Sequence, residues 1–179
     1  MFENLRLRIG TSLALFHFRR DTDSVIQFTE AISAARQPLV LLPEDPEEAS
    51  AVEPILKFLG QHFQASKVTL VATREIVQRL PDHRTFQLIT YGEEELNTWY
   101  LPRADLLRKA KKSTFDVAFD LNIRSALPSA WLCRASQAPL RIGFVKPNAD
   151  RFYNFQVHIK PSNNNSQNYA QLLKCIEMF

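Results

Sequence analysis

Glycine and cysteine are scarce in this chain, and each shortage excludes a class of chemistry. Four glycines in 179 residues leave little room for a phosphate-cradling loop, and no GxxxxGK[ST], GxGxxG or GxSxG occurs. The two cysteines, Cys133 and Cys175, belong to no CxxC or Cys/His cluster. That argues against a disulfide framework and fits a reducing compartment. Both fall in apolar helical patterns and read as small buried hydrophobes. The histidines, His17, His62, His83 and His158, are scattered without metal-ligand spacing, so neither a metal nor a cofactor is expected.

Long hydrophobic runs are missing too. None approaches the roughly 18 residues of a membrane span, and MFENLRLRIG offers no apolar h-region or small-residue cleavage site. A net charge of +3 is too mild for a polybasic binder, so no specific nucleic acid is expected. The expected location is cytoplasmic, with peripheral contact to the inner membrane face as a further option.

What is present is enough apolar sequence, 45% of residues, for one sizeable core. From residue 37 onward strand-like and helix-like segments alternate, the rhythm of an α/β layer fold with a mainly parallel sheet. Strands are expected at 38–42, 67–72, 85–90, 115–121 and 139–144, with an edge strand at 154–159. Helices are expected at 47–63, kinked at Pro54, at 101–112, at 125–135, and at 168–178 after the polar turn PSNNNSQ. The run Glu93-Glu94-Glu95 reads as a solvated helix start. Residues 1–36 sit outside this rhythm as a helical or extended extension packed on a single domain at 37–179. Within the extension Leu5, Leu7 and Ile9 alternate with arginines, and Asp23 or Ser24 would cap a helix through Ala35. The extension reads as a packing element or as an apolar patch for another subunit or a membrane surface. A basic helix face, Arg103, Arg108, Lys109, Lys111 and Lys112, faces solvent or meets acidic headgroups or an acidic partner.

Residues 115–144 carry the most information. Asp120, Leu121 and Asn122 are followed by Arg124, Ser125 and Ala126. An apolar helix comes next, then Ala138, Pro139, Arg141, Ile142, Gly143 and Phe144. This order resembles a block of the heptosyltransferases of glycosyltransferase family 9, which reads Asp-Leu, a polar loop, Arg-Ser-Ala, a helix and Gly-Ala-Pro-x-Arg-Ile-Gly-Phe. Gln137 stands where that pattern has glycine. Arg151–Tyr153 and a helix bearing Tyr169 and Leu172 extend the resemblance, which runs from about Gln37 to Phe179. It implies a three-layer Rossmann-like domain with sheet order 3-2-1-4-5, as in the acceptor-side half of a GT-B enzyme. The nucleotide-sugar half would then come from a second subunit or another copy.

Ligands of open parallel sheets bind beyond the carboxyl ends of the strands, where strand order reverses. Asp120, Asn122, Arg124 and Ser125 would lie there, before a helix N-terminus that favours anions, and Arg124 would grip a phosphate or carboxylate with two bonds. A purely structural alternative has Asn122 and Ser125 capping the helix and Asp120 pairing with Arg124. Arg141 and Gly143 read as strand-end and turn residues. Carried over through Pro54, the resemblance places its catalytic aspartate at Glu48, its arginine at Leu42 and its glycine at Glu47. Yet Asp45-Pro46-Glu47-Glu48 is equally a helix start, with an N-cap acid and a proline in the first turn, so the catalytic loop reads as degenerate.

The resemblance further implies an anionic saccharide ligand, such as a bacterial lipopolysaccharide core, with Asn122, Arg124, Ser125, Arg74 and Arg151 as binding candidates. Three readings follow. The chain is a binding or partner module that is not catalytic alone; or it is an active transferase with an ADP-heptose-type donor, Glu48 as base, completed by a second polypeptide; or it is an unrelated α/β protein sharing only the rhythm.

Overall fold

Short apolar segments that alternate faces make the sheet, and they place it between two helical layers. The structure, a computed structural model, describes residues 2–80, 83–159 and 164–178, without the side chains of Ser66 and His83. The strands are β1 (Pro38–Leu41), β2 (Thr69–Thr73), β3 (Gln87–Tyr91), β4 (Val117–Asp120), β5 (Leu140–Phe144) and β6 (Phe155–Val157). They pair in parallel throughout, in the order β3-β2-β1-β4-β5-β6. The expected order therefore holds, and the sixth strand extends it at the β5 edge.

β1, β4 and β5 are buried along their whole length, as the central strands of a sheet covered on both faces must be. Side chains alternate between layers with the period of two that strands impose. Val40, Leu70 and Phe119 join one core, while Leu39, Leu41, Val71 and Ala118 join the other.

The helices are α1 (Phe2–His17), α2 (Phe28–Ala34), α3 (Pro46–Ser50), α4 (Glu53–Phe63), α5 (Arg74–Arg79), α6 (Ala104–Ala110), α7 (Leu127–Ala135) and α8 (Asn165–Glu177). Residues of α2, α4, α5 and α8 pack in the first core, and residues of α1, α6 and α7 in the second.

Several boundaries differ from expectation. The helix read at 47–63 is two, because the chain leaves the helix at Ala51–Val52. Pro54 then falls in the first turn of α4, where its missing N–H costs nothing and no kink is needed. Asp45 does cap α3, accepting from the backbone N–H groups of Glu47 and Glu48. α7 begins after Ala126, with Pro128 in its first turn and no side-chain cap, so neither Asn122 nor Ser125 caps it. α8 starts earlier than read, capped by Asn164; residues 161–163 of the polar turn lie outside the described residues. The alternating Leu/Arg run near the start is helical, not extended. Asp23 and Ser24 lie in an irregular strap before α2, whose N-cap is Gln27. Cys133 is buried, whereas Cys175 is only partly so.

α1 lies close against the loop after β3. A Cβ at Gly10 would sit 2.1 Å from the Trp99 carbonyl oxygen, so only glycine permits this approach. Ala14 is fully buried beside it, and Phe18 packs on Trp131 and Phe152.

Candidate functional site

β1 sits between β2 and β4, so successive crossovers leave it in opposite directions and a crevice opens beyond the carboxyl ends of β1 and β4. Three loops border it: that after β1, from Leu42; that after β4, from Leu121; and that after β5, from Val145.

Asp120, the last residue of β4, is the centre of the crevice floor and only 2% exposed. Its carboxylate accepts from the Asn122 backbone N–H at 3.0 Å, the Asn122 Nδ2 at 2.7 Å and the Ser129 hydroxyl at 3.3 Å. The Tyr153 hydroxyl donates to its other oxygen. Lys146 Nζ lies 3.6 Å away with its side chain 7% exposed, and it donates to the carbonyls of Asn122 and Arg124. A buried carboxylate survives only with such company. Gly143 makes room for it: a Cβ there would meet the Tyr153 ring at 2.8 Å.

Asn122 ties this centre to the first loop. Its Oδ1 accepts from Glu44 N at 2.9 Å, and its Nδ2 also donates to Ser129 Oγ and to Leu42 O. Glu44 in turn accepts from the Tyr91 hydroxyl at 2.7 Å. Burial pushes the Glu44 carboxyl above the usual range, against the Tyr91 hydrogen bond. Burial, reinforced by the Glu44 charge, pushes the Tyr91 phenol up as well.

Glu48 is buried, at 2% exposure. Its Oε2 accepts from the Ile123 backbone N–H at 2.9 Å, and its Oε1 lies 3.8 Å from Arg124 Nε. Burial raises its pKa, with the Asp45 charge in the same direction and the Ile123 N–H and Arg124 opposing. Arg124 donates to Asp45 at 2.8 Å, so the expected Asp120–Arg124 pair does not form. The turn at residues 122–124 instead spans back to the first loop, and the buried partners of Asp120 are Asn122 of that turn and residues of α7 and the loop after β5.

The structure thus brings Glu48, Asn122 and Arg124 together, with Ser125 exposed next to them. Arg74 lies elsewhere, at the start of α5, where it pairs with Glu94 and Glu95. The glutamate run is accordingly an arginine clamp as well as a solvated turn. Arg151 is exposed, with Asp150 3.8 Å away. Arg141 braces its surroundings, donating to the carbonyls of Phe152 and Ala138 and to Asp23 at 2.5 Å. Among the described residues no group of three or more His, Cys, Asp or Glu side chains is arranged to hold a metal ion.

The sequence marks none of Glu44, Tyr91, Ser129, Lys146 and Tyr153 as a site residue. A lysine directly after a buried apolar strand, as in Phe144-Val145-Lys146, was a readable signal for a charge at the strand end. The Glu44–Tyr91 pair joins distant segments and left no such mark.

Beside the network is a cavity of about 420 Å³, walled by α1 on one side (Arg8, Thr11, Leu15) and by Ser125, Lys146 and Tyr153 on the other.

A parallel sheet of this order, with its polar centre at the switch point, defines a Rossmann-like α/β fold of the kind that forms each half of a GT-B glycosyltransferase. No protein-family model and no curated protein matches the sequence. Among solved structures the chain is similar to "E. coli heptosyltransferase WaaC with ADP", at 18% identity and TM-score 0.61, covering 78% of this chain and 46% of that one. It is also similar to the glycosyl transferase family 9 protein from Veillonella parvula DSM 2008, at 14% identity and TM-score 0.55, covering 76% of this chain and 41% of that one. The chain therefore spans less than half the length of these structures. At such identities the likeness is one of fold, and the family resemblance is matched at that level.

Proposed function

We propose that this chain is a single-domain relative of the family 9 glycosyltransferases that transfers no sugar alone. It serves as a binding or partner module in bacterial envelope saccharide metabolism. The observation that carries this reading is the closure of the crevice floor: Glu44, Glu48 and Asp120 are each held by groups of the same chain. A general base must reach an acceptor hydroxyl at hydrogen-bond distance, and Glu48 already holds the Ile123 N–H from a buried position. The carboxylates of Asp45, Glu47 and Glu48 also repel an anionic group where a glycine turn would admit one.

Titration of the purified chain with ADP- and UDP-sugars, followed by thermal unfolding and by a glycosyl-transfer assay, tests this. The expected result is no transfer and no shift. A ligand at about 100 times its dissociation constant would add roughly 2.7 kcal/mol; such a shift with a nucleotide sugar, or transfer by the chain alone, overturns the reading.

One observation favours the second reading, an active transferase completed by another polypeptide. The raised pKa of Glu48 suits a carboxyl exchanging protons nearer neutrality. In that case Glu48→Gln lowers turnover by about 10²–10⁴-fold in the assembled complex; unchanged turnover removes Glu48 from the chemistry.

A further inference from the structure

α1 has two apolar faces, and the described residues cover only one. Gly10 and Ala14 are its buried residues. Phe2, Leu5, Ile9, Leu13 and Phe16 recur at spacings of three and four, which places them on a single stripe. That stripe points away from the domain: Phe2 is 81% exposed, Leu5 54%, Leu13 42% and Phe16 63%. Isolated exposed apolar residues are ordinary, but a continuous row along one helix marks an interaction surface.

The charges beside the stripe identify its partner. Arg8, Arg19 and Arg20 accompany it, Arg6 being held by the Thr98 carbonyl and the Tyr100 ring, and Glu3 is the only acidic residue within residues 1–20. The Arg19 guanidinium lies 3.4 Å from the centre of the Phe16 ring, while Arg8 and Arg20 are exposed. Long arginine stems lie along apolar surface and carry their charge to an aqueous boundary. α6 packs in the same helical layer and adds exposed Arg103, Lys111 and Lys112. A second copy related by a two-fold axis would set these arginines against one another with a lone glutamate to offset them. A headgroup layer of negative phosphates accepts both the apolar row and the cations.

We propose that the outward face of α1 docks this protein on an anionic lipid surface, with the phenylalanines and leucines entering the headgroup–acyl boundary and the arginines meeting lipid phosphates. The inference is independent of what the crevice binds.

Flotation of the full chain with vesicles tests it. Binding is expected to vesicles of phosphatidylcholine mixed with phosphatidylglycerol, weak or absent binding to phosphatidylcholine alone, and release as salt is raised. Leu13→Ser with Phe16→Ser should weaken binding by more than about tenfold, and Arg8→Gln with Arg20→Gln by roughly 30-fold. The apolar-conserving pair Leu13→Ile with Phe16→Leu should bind as the parent does, which separates loss of docking from loss of folding. No binding to the anionic vesicles, or serine variants that bind unchanged, overturns the proposal. So does a dimer in sedimentation velocity that the serine pair converts to monomer, since a second copy would then cover the stripe.

Discussion

The crevice and the outer face of α1 are opposites in how they treat their side chains. In the crevice, three carboxylates are buried or half-buried and each is answered by a partner from the same chain: Asp120 by Tyr153, Asn122 and Lys146, Glu44 by Tyr91, Glu48 by Ile123. On α1, large apolar side chains stand largely in water, with no core residue described against them. A surface binds with what it has left unpaired. By that measure the place where the fold conventionally puts a ligand is the more closed of the two, and the added helix is the more open.

The largest expected effect breaks the crevice side of this contrast. Asp120→Ala strips Lys146 and Tyr153 of their buried partner and should cost about 3–5 kcal/mol, read by urea denaturation; α1 should stay attached until the whole domain unfolds.

The strap between the two regions comes next. Asp23 joins the nearly buried Arg134 and Arg141 at 2.5 Å each. Burial alone would raise its pKa, but the hydrogen bonds and charges of the two arginines outweigh it and hold the carboxyl low. Its stabilisation is therefore present above the unfolded carboxylate range, about pH 3.9, and is lost as pH falls through the lower folded value. Asp23→Ala should cost about 1–2 kcal/mol at neutral pH, allowing for the solvent that reaches this carboxylate, and should remove that acid dependence.

Gly10→Ala attacks the α1 side. The added Cβ meets the Trp99 carbonyl, and the strain, about 1–2 kcal/mol, should fall on α1 docking. Limited proteolysis before α2 should speed up while the midpoint for the remaining domain hardly moves.

Glu48→Gln sharpens the contrast with the smallest change, within about 1 kcal/mol at neutral pH, because the amide oxygen can still accept from Ile123. The carboxyls of Glu44 and Glu48 are raised in the folded state. They favour folding most below the unfolded value, about 4.3, and that advantage shrinks as pH rises through the folded values. Glu48→Gln should flatten this slope in thermal melts between mildly acidic and neutral pH.

Much of the fold was legible because the strands are short apolar runs that a covered parallel sheet requires; β1, β2, β4 and β5 were all recognisable on that ground. The break at Ala51–Val52 was not, since its apolar residues keep helical spacing across both helices and Pro54 reads equally as a kink or a first turn. Local spacing offered Asp120 as one partner for Arg124, whereas its partner, Asp45, is brought near only by β1 and β4 lying side by side. Gln137 shows the converse. The resemblance flagged a missing glycine, and the backbone there is left-handed, with φ 58°, the conformation glycine adopts without strain.

β1 has a consequence for how this chain is made. Leu39 pairs with Thr69 on one side and with Ala118 on the other, so during synthesis the central strand can be completed on its first edge long before the second partner exists. Until β4 emerges, a wholly apolar strand presents a row of open backbone donors and acceptors, the geometry that invites pairing with a neighbouring nascent chain. The same reversal of strand order that creates the crevice makes residues 117–120 the segment whose arrival closes that window, so a stall before them should leave the most aggregation-prone form of this protein.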